Sequence, residues 1–299
     1  MELPITSMHA QVVRAAANGN LVIDEARHPD VFLKDTFLVV LGHAGARVSL
    51  QAGVAALWLP SFGRTCLATI STQIVTAKGA VYASDSQRRL TVDVGRKAGC
   101  VAIIARQNLW SAALASWQTT ATRPYTVLPA LHASKLSIRR GLFRFVHEAV
   151  RGEAALQMNV SLLASALGEL QTEFEPLIRR CPGASVVAKR SNFFRLQRAV
   201  NQILFSAKEQ PKVTDLAGIA NYSVHQFIRV FSKVYGCTPH TYMSRLRAAR
   251  AQEILENSDL AVRDVAAALG IESRATFGRM VKKNFGQSAT LMRRVARSL

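Results

Sequence analysis

Several features that mark common classes of protein are scarce or missing in this sequence. The 299 residues include only 4 cysteines, with no CxxC spacing and no companion pair of histidines. This scatter argues against a zinc site and a disulfide framework, and it predicts free thiols in a reducing compartment. No apolar run approaches the roughly eighteen residues of a membrane span, and the start at Met1 lacks the basic and apolar segments of a signal peptide. We therefore expect a soluble, cytoplasmic protein that does not contact a membrane.

Signatures of catalysis are also missing. The sequence contains neither a P-loop nor a G-x-S-x-G motif. Its 7 histidines form no H-x-H pair and have no glutamate at ligand spacing, whereas a metal site needs several such side chains close together. We predict that the chain is not an enzyme, and that it has no catalytic residue, no metal and no cofactor.

Acidic residues are few relative to basic ones. The chain has 38 Lys and Arg against 19 Asp and Glu, a formal net charge of +19. Residues 191–299 contain 17 of these cations and 7 of the anions, so their net charge is +10, and per residue they are about twice as basic as the rest. Such a surface releases counterions when it neutralises phosphates, which predicts a polyanion as the partner.

One stretch of the basic part occurs twice. Asp215-Leu216-Ala217 is echoed 49 residues later by Asp264-Val265-Ala266. After an intervening turn the offset becomes 50 residues, and the echoed pairs are Phe227 with Phe277, Phe231 with Val281, and Gly236 with Gly286. The second copy therefore has one extra residue in its turn. Two copies of one supersecondary element follow from this repeat.

Each copy has the pattern of a short helix, a turn and a second helix. In the first copy Ser223 is placed to cap the second helix, and Gln226 completes a capping-box pattern. Phe227 and Phe231 are four residues apart and therefore share a buried face, while Gly236 predicts a left-handed end to the helix. This is the helix-turn-helix arrangement, in which the second helix presents its exposed face to the major groove of DNA.

Residues 195–293 closely resemble the DNA-binding domain of the AraC/XylS family of transcription regulators. The resemblance includes the longer second turn and the Gly236-Cys237-Thr238-Pro239 sequence, in which Thr238 caps and Pro239 begins a helix that runs to about Asn257. It implies a sequence-specific regulator, an activator, that binds double-stranded promoter DNA and contacts RNA polymerase. The second copy departs from the family pattern after Gly286, which predicts looser packing of the last helix.

The resemblance also assigns DNA contacts to individual residues. Arginines can donate two hydrogen bonds to one guanine, while threonine and alanine can touch a thymine methyl group. For each arginine, a phosphate contact or a solvated charge is the alternative, and the lysines are predicted to contact phosphates. The base-reading residues are His225, Ile228 and Arg229 in the first unit and Arg274, Ala275, Thr276 and Arg279 in the second, with Gly278 allowing close approach; the phosphate-contacting residues are Lys233, Lys282 and Lys283.

In the N-terminal part, the residue pattern from about Val31 to Ala105 predicts β-strands. Glycines punctuate short apolar runs at intervals typical of an all-β sandwich or barrel, which predicts a jelly-roll or cupin-like β-barrel. The run Gly99–Ile104 before a helix at Asn108–Trp110 resembles the effector-binding domain of many AraC/XylS regulators, which implies a small-molecule effector. The candidate pocket residues are Trp58, Phe62, Tyr82 and Arg88, and core or surface positions are the alternative for each.

These patterns predict an α+β chain with two domains. The β-barrel and its trailing helices would span residues 1–185, and the DNA-binding domain residues 191–299, with helix-turn-helix units at about 213–236 and 261–286. A linker is predicted at Cys181–Ser185, followed by a supporting helix from Asn192 to about Lys208. A leucine stripe in the preceding helical region, Leu163, Leu167 and Leu170 with Phe174, is suited either to packing on the barrel or to a homodimer.

Two alternatives to an effector-controlled regulator follow from the same residues. In the first, the protein regulates without a ligand, and its barrel serves only dimerisation or protein contacts. Large side chains would then fill the barrel. In the second, an enzyme is fused to a DNA-binding tail, and the absence of catalytic motifs argues against it.

Overall fold

The computed structural model describes residues 9–68, 73–77, 79–87, 89–117, 127–133, 136–151, 156–206 and 210–297. The chain divides into two compact units, with the division between Arg179 and Arg180. Searched over these described parts of the chain, none of the helices combines the length and the apolar character that crossing a membrane requires. None of the 4 cysteines forms a disulfide.

The N-terminal unit is built on two β-sheets. Its described strands are β1 (His9–Ala15), β2 (Asn20–Ile23), β3 (Thr36–Gly42), β4 (Arg47–Leu50), β5 (Val54–Phe62), β6 (Arg64–Ala68), β7 (Gln73–Ala77), β8 (Ala80–Ser84), β9 (Leu90–Val94), β10 (Gly99–Arg106) and β11 (Ala130–Ala133). One sheet has 6 strands in the order β1-β3-β10-β5-β8-β11, and the other has 5 in the order β2-β4-β9-β6-β7. Among the described strands no pairing joins the two sheets, so the predicted jelly-roll is an open sandwich and not a closed barrel.

The alternation of side chains explains which faces are buried. In β9, Leu90, Val92 and Val94 are buried while the residues between them are partly exposed, the period-2 pattern of a strand with one covered face. β5 and β10 lie in the middle of the larger sheet and are buried along most of their length. Both of their faces are therefore covered, one by helices and the other by the smaller sheet.

The helices described in this part of the chain are α1 (Pro29–Leu33), α2 (Gln107–Trp117), α3 (Leu136–Arg151), α4 (Leu156–Thr172) and α5 (Glu175–Arg180). Of these, α2, α3 and α4 cover the outer face of the larger sheet. Leu57 and Ile103 from the sheet share a core cluster with Trp110 of α2, Leu142 of α3 and Leu163 of α4. Burying these side chains removes apolar surface from water, at about 25 cal/mol for each Å².

The leucine stripe of α4 packs within the chain. Leu163, Leu167 and Leu170 are at most 3% exposed and belong to the same core cluster. Phe174, just after α4, is 8% exposed. Of the two uses predicted for this stripe, the structure therefore shows packing. A homodimer would require another surface.

The sequence pattern missed several elements of the N-terminal unit. β1 and β2 precede the predicted strand region, and each pairs in parallel, with β3 and β4 respectively. Parallel partners are set by the tertiary fold and leave no hairpin signal in the sequence. At Val31, where strands were predicted to begin, the chain is in α1, which starts at Pro29 with Asp30 in its first turn, both favourable at a helix start.

The C-terminal unit is all helical in its described residues. After the end of α5 it contains α6 (Val186–Phe205), α7 (Val213–Ile219), α8 (Val224–Tyr235), α9 (Pro239–Asn257), α10 (Val262–Ala268), α11 (Arg274–Phe285) and α12 (Ala289–Arg297). The predicted class, sheets with trailing helices followed by an all-α region, is confirmed. The helix predicted from Asn192 begins at Val186, because the Ser185 hydroxyl accepts a hydrogen bond from the Ala188 amide at 3.2 Å and caps it. Its predicted end at Lys208 lies outside the described residues.

Two different cores support the two helix-turn-helix units. In the first, the Phe231 ring lies 5.4 Å from that of Phe227, 4.5 Å from that of Tyr235 and 5.5 Å from that of Tyr242, distances at which aromatic rings interact favourably. In the second, Val281 replaces the aromatic residue at the position of Phe231. α12 contributes Met292, which is 3% exposed, to the same core cluster as Phe277 and Val281.

Candidate nucleic-acid interface

The first candidate recognition helix, α8, has a defined beginning and end. The Ser223 hydroxyl oxygen accepts a hydrogen bond from the Gln226 amide at 3.4 Å, and Gly236 ends the helix at φ 71°. Both predictions for these residues are confirmed. The Gln226 side chain differs from the capping-box expectation, because its Oε1 accepts a hydrogen bond from the Ser223 hydroxyl at 3.2 Å.

The second candidate recognition helix, α11, repeats this design. The Ser273 hydroxyl accepts from the Thr276 amide at 3.3 Å, and Gly286 ends the helix at φ 74°. Both helices have 12 residues, so each residue of α8 has an equivalent 50 positions later in α11. Sequence reasoning missed the Ser273 cap, although a serine 50 residues after Ser223 was a usable signal.

The residues predicted to read bases all lie on exposed positions of these two helices. Phe227 and Phe231 are buried in α8, as are Phe277 and Val281 in α11. The opposite faces are open to solvent. The exposed predicted residues are His225, Ile228 and Arg229 of α8 and Arg274, Ala275, Thr276 and Arg279 of α11.

Position-by-position comparison separates what the two helices share from what they do not. Arg229 and Arg279 occupy equivalent positions, both exposed. Two other positions differ in size, because His225 and Ile228 of α8 are replaced by Ala275 and Gly278 in α11. Arg274 is the first residue of its helix, where α8 has Val224. The arginine at the centre is thus common, while α8 has the longer side chains around it.

The charge of both helices is of one sign. Neither α8 nor α11 contains an acidic residue. Lys233 in the last turn of α8, and Lys282 and Lys283 in the last turn of α11, are exposed. In each case the lysines complement the negative end of the helix dipole, and they add positive charge beside the arginines. This surface can neutralise phosphates.

The helix between the two units starts as predicted. The Thr238 hydroxyl accepts a hydrogen bond from the Thr241 amide at 3.2 Å, and Pro239 is the first residue of α9. The helix has 19 residues, which at about 1.5 Å each gives a length of about 28 Å. Its two ends adjoin the helix-turn-helix units, so a single helix connects them in the chain.

Two of the four candidate effector residues lie side by side. Trp58 of β5 and Tyr82 of β8 are register partners, with side chains 2% and 6% exposed. Their neighbours along each strand face the helices. Because side chains alternate along a strand, Trp58 and Tyr82 point toward the smaller sheet. The Trp58 indole Nε1 is buried, and it has no hydrogen-bond partner among the residues that the structure describes.

Phe62 differs from this buried pair in its exposure. Phe62 is 56% exposed, which matches the surface position that was the alternative to a place in the pocket. It is the last residue of β5, and at Gly63, with φ 68°, the chain turns into β6 of the other sheet. Arg88 lies outside the described residues.

A pocket in the N-terminal unit was not predicted. It has a volume of about 290 Å³ and is lined by residues of β11 and of the α3 and α4 region, including His132, Glu169 and Glu173. His132 Nδ1 lies 2.5 Å from Glu173 Oε1, and the imidazole is buried. The two residues are 41 positions apart, so no local sequence signal could pair them.

A family model matches part of the helical C-terminal unit, and known proteins are similar to this chain. The family model described as "Helix-turn-helix domain" matches residues 216–294. The probable transcription factor PqrA of Proteus vulgaris is 30% identical over 103 residues, which are 32% of this chain and 84% of that protein. The regulator GbdR of Pseudomonas aeruginosa is 29% identical over 92 residues, 31% of this chain but only 25% of that protein.

Two solved structures are also similar. The DNA-binding domain of the global transcriptional factor AdpA, in complex with a target DNA, is 30% identical and matches 35% of this chain and 94% of that chain, with a TM-score of 0.34. ToxT of Vibrio cholerae is 8% identical and matches 88% of this chain and 98% of that chain, also with a TM-score of 0.34.

The match to PqrA spans most of that protein, and the family model covers both capped recognition helices. The relatives GbdR, ExsA and MtrA are all named as transcriptional regulators of the helix-turn-helix type. The chain belongs to the AraC/XylS family of DNA-binding transcription regulators.

Proposed function

We propose that this regulator reads promoter DNA with the exposed faces of α8 and α11, and that a small molecule bound between the sheets of its N-terminal unit controls activation of transcription. The observation that supports base reading is the placing of Arg229 and Arg279 at equivalent exposed positions of two capped, acid-free helices. An arginine fork can donate to the O6 and N7 atoms of one guanine, which discriminates by about 1 to 3 kcal/mol.

The two helices contribute unequally in this proposal. α8 has His225 and Ile228 beside its arginine, so it can contact several neighbouring bases. α11 has Ala275 and Gly278 at the equivalent positions, so there only Ala275 can touch a base, through a thymine methyl group, and the other base contacts come from Arg274, Thr276 and Arg279. Lys233, Lys282 and Lys283 bind phosphates, which adds affinity for any sequence and makes binding sensitive to salt.

The effector part of the proposal rests on Trp58. A buried donor without a partner costs about 1 to 3 kcal/mol. Within the described part of the chain, the Trp58 indole is such a donor inside the sandwich. A ligand that accepts a hydrogen bond from Nε1 removes this cost, and Tyr82 adds an aromatic wall next to it. The expected effector is small and mostly apolar, with one acceptor oxygen.

A regulator without an effector is the second candidate. The observation in its favour is the burial of large side chains on the inner face of the larger sheet, where Leu38, Val40 and Ile104 are at most 1% exposed. In that case the N-terminal unit serves homodimerisation or protein contacts. Contact with RNA polymerase and activation of transcription belong to both candidates.

Substitution of Trp58 by Phe separates the two candidates. A panel of small molecules is screened by thermal unfolding of the full chain and by transcription in vitro from a bound promoter. With an effector, compounds of the expected class raise the melting temperature and change transcription for the wild type, and both responses weaken in Trp58→Phe. Unchanged transcription with every compound, together with full activity of Trp58→Phe, refutes the effector and supports the second candidate.

A further inference from the structure

The turn before α8 is held by a side chain from another helix. Arg195, on α6, donates from Nε to the carbonyl oxygen of Ala220 at 2.7 Å and from Nη2 to the carbonyl oxygen of Asn221. Its guanidinium carbon lies 4.3 Å from the centre of the Tyr222 ring, within range of a cation–π interaction. One guanidinium thus contacts three consecutive residues of the turn, and the next residue is the α8 cap, Ser223.

This turn contains a backbone conformation that needs support. Asn221 has φ 52°, and it is one of only 2 non-glycine residues with positive φ in the described parts of the chain. Its equivalent in the second unit, 49 residues later, is Gly270, with φ 67°, which adopts this region without steric cost. Asparagine tolerates the left-handed region better than most residues. The bond from Arg195 to its carbonyl fixes the peptide in that orientation.

Asn192 extends the contact to the start of the unit. Its Oδ1 accepts hydrogen bonds from the Tyr222 hydroxyl at 2.9 Å and from Arg195 Nη1 at 3.4 Å, while its Nδ2 donates to the carbonyl oxygen of Pro182 at 2.8 Å. Burial raises the pKa of Tyr222, so the phenol stays protonated and remains a donor at neutral pH. The polar network therefore runs from Pro182 to the beginning of α8.

The other end of α8 is tied to the same short segment. Arg180 donates from Nη1 to the carbonyl oxygen of Val234 at 3.2 Å, in the last turn of α8. Arg180–Pro182, the leading segment, is where the chain enters the C-terminal unit. Both ends of α8 are thus held, directly or through Asn192, by three consecutive residues of the chain.

We propose that Asn192 and Arg195 are positioning residues for base reading by α8. Together with Arg180, they connect the leading segment to the helix that reads the bases. Hydrogen bonds to base edges require a fixed helix orientation, whereas contacts to phosphates tolerate small rotations. Loosening the turn therefore reduces the preference for a specific sequence and leaves affinity for random DNA unchanged. A displacement of the leading segment changes the same preference for a specific DNA sequence.

The test compares two lysine substitutions that leave the net charge unchanged. Arg195→Lys removes the fork that spans two carbonyl groups, and Arg245→Lys makes the same change at an exposed position of α9. The probes are a duplex that the wild-type full chain selects from a random library and a duplex of scrambled sequence. Dissociation constants for both are measured at a fixed salt concentration, and thermal unfolding checks that each variant is folded.

We expect Arg195→Lys to lower the ratio of selected to scrambled affinity by about tenfold, the lower part of the range for one well-placed bidentate contact. Arg245→Lys leaves the ratio within about twofold. Asn192→Ala, which changes no charge, also lowers the ratio. It replaces Arg195→Lys as the test variant if Arg195→Lys fails to fold. An unchanged ratio in both folded variants overturns the proposal.

This inference rests on the proposed base reading by α8, so Arg229→Ala is measured alongside. If Arg229→Ala leaves the ratio unchanged, the proposed base reading by Arg229 is refuted. If Arg229→Ala lowers the ratio while Arg195→Lys and Asn192→Ala do not, only the positioning role is refuted.

Discussion

Three glycines of the C-terminal unit allow one chemical change to be tested in two backbone conformations. Gly278 lies inside α11 and Gly218 inside α7, while Gly236 ends α8 at φ 71°. A Cβ atom added at any of the three has open space around it, with no described atom outside the local backbone within 4 Å. The added methyl group therefore makes no new packing contact at any of the three positions. The positions differ in their backbone angles.

The expected effects have opposite signs. Glycine inside an exposed helix is about 0.5 to 1 kcal/mol less favourable than alanine, so Gly278→Ala and Gly218→Ala each stabilise their helix by that amount. At Gly236 an alanine is forced into the left-handed region, which costs about 1 to 2 kcal/mol. The same methyl group thus stabilises two positions and destabilises the third.

Hydrogen exchange measured by mass spectrometry is the suitable assay, because it resolves individual helices. All 3 tryptophans lie in residues 1–179, so their fluorescence does not report on the C-terminal unit. Amides of α11 in Gly278→Ala and of α7 in Gly218→Ala should exchange about two- to fivefold more slowly, and amides of α8 in Gly236→Ala faster. Faster exchange in α11 of Gly278→Ala, or slower exchange in α8 of Gly236→Ala, refutes the reasoning.

Two further predictions concern the caps and the thiols. Ser223→Ala and Ser273→Ala each remove the side-chain acceptor of a recognition helix, so each should cost about 1 kcal/mol of local stability; equal hydrogen exchange in wild type and variants at α8 and α11 contradicts this. Burial raises the pKa of the Cys100 thiol to about 12 and that of Cys181 to about 11, and the thiolate is the reactive form. Iodoacetamide at pH 7.5 should therefore label both residues only after unfolding, and labelling of Cys181 in the folded protein at the rate of the unfolded chain speaks against the buried site.

The features of the C-terminal unit that could be predicted are those with local causes. Ser223, Gly236, Thr238 and Pro239 act through bonds or backbone angles within a few residues, so their roles are visible in the sequence. The repeat then located α11 from α8. The early start of α6 was missed because Val186 and Val187 are 57% and 46% exposed, so the first turn adds nothing to the apolar stripe.

What could not be predicted depends on residues distant in sequence. Arg195 contacts the carbonyl oxygen of Asn221 across 26 positions, and on a helical projection it is an ordinary charged residue beside the buried Leu196. In the N-terminal unit, β10 pairs with both β3 and β5, a sheet order that strand propensity does not determine. The exposure of Phe62 follows from where the chain changes sheets, which no local pattern indicates.

Arg229→Ala tests the central claim, base reading by α8, most directly. Affinities for a selected duplex and a scrambled duplex are compared over a series of salt concentrations, with Lys233→Ala as the control on the same helix. Arg229→Ala should lower affinity for the selected duplex by about 1 to 3 kcal/mol and relax the preference at one base pair. Lys233→Ala should weaken both duplexes alike and reduce the salt dependence by about one phosphate contact. Equal weakening of both duplexes by Arg229→Ala would show that Arg229 contacts a phosphate and would contradict base reading by this central arginine of α8.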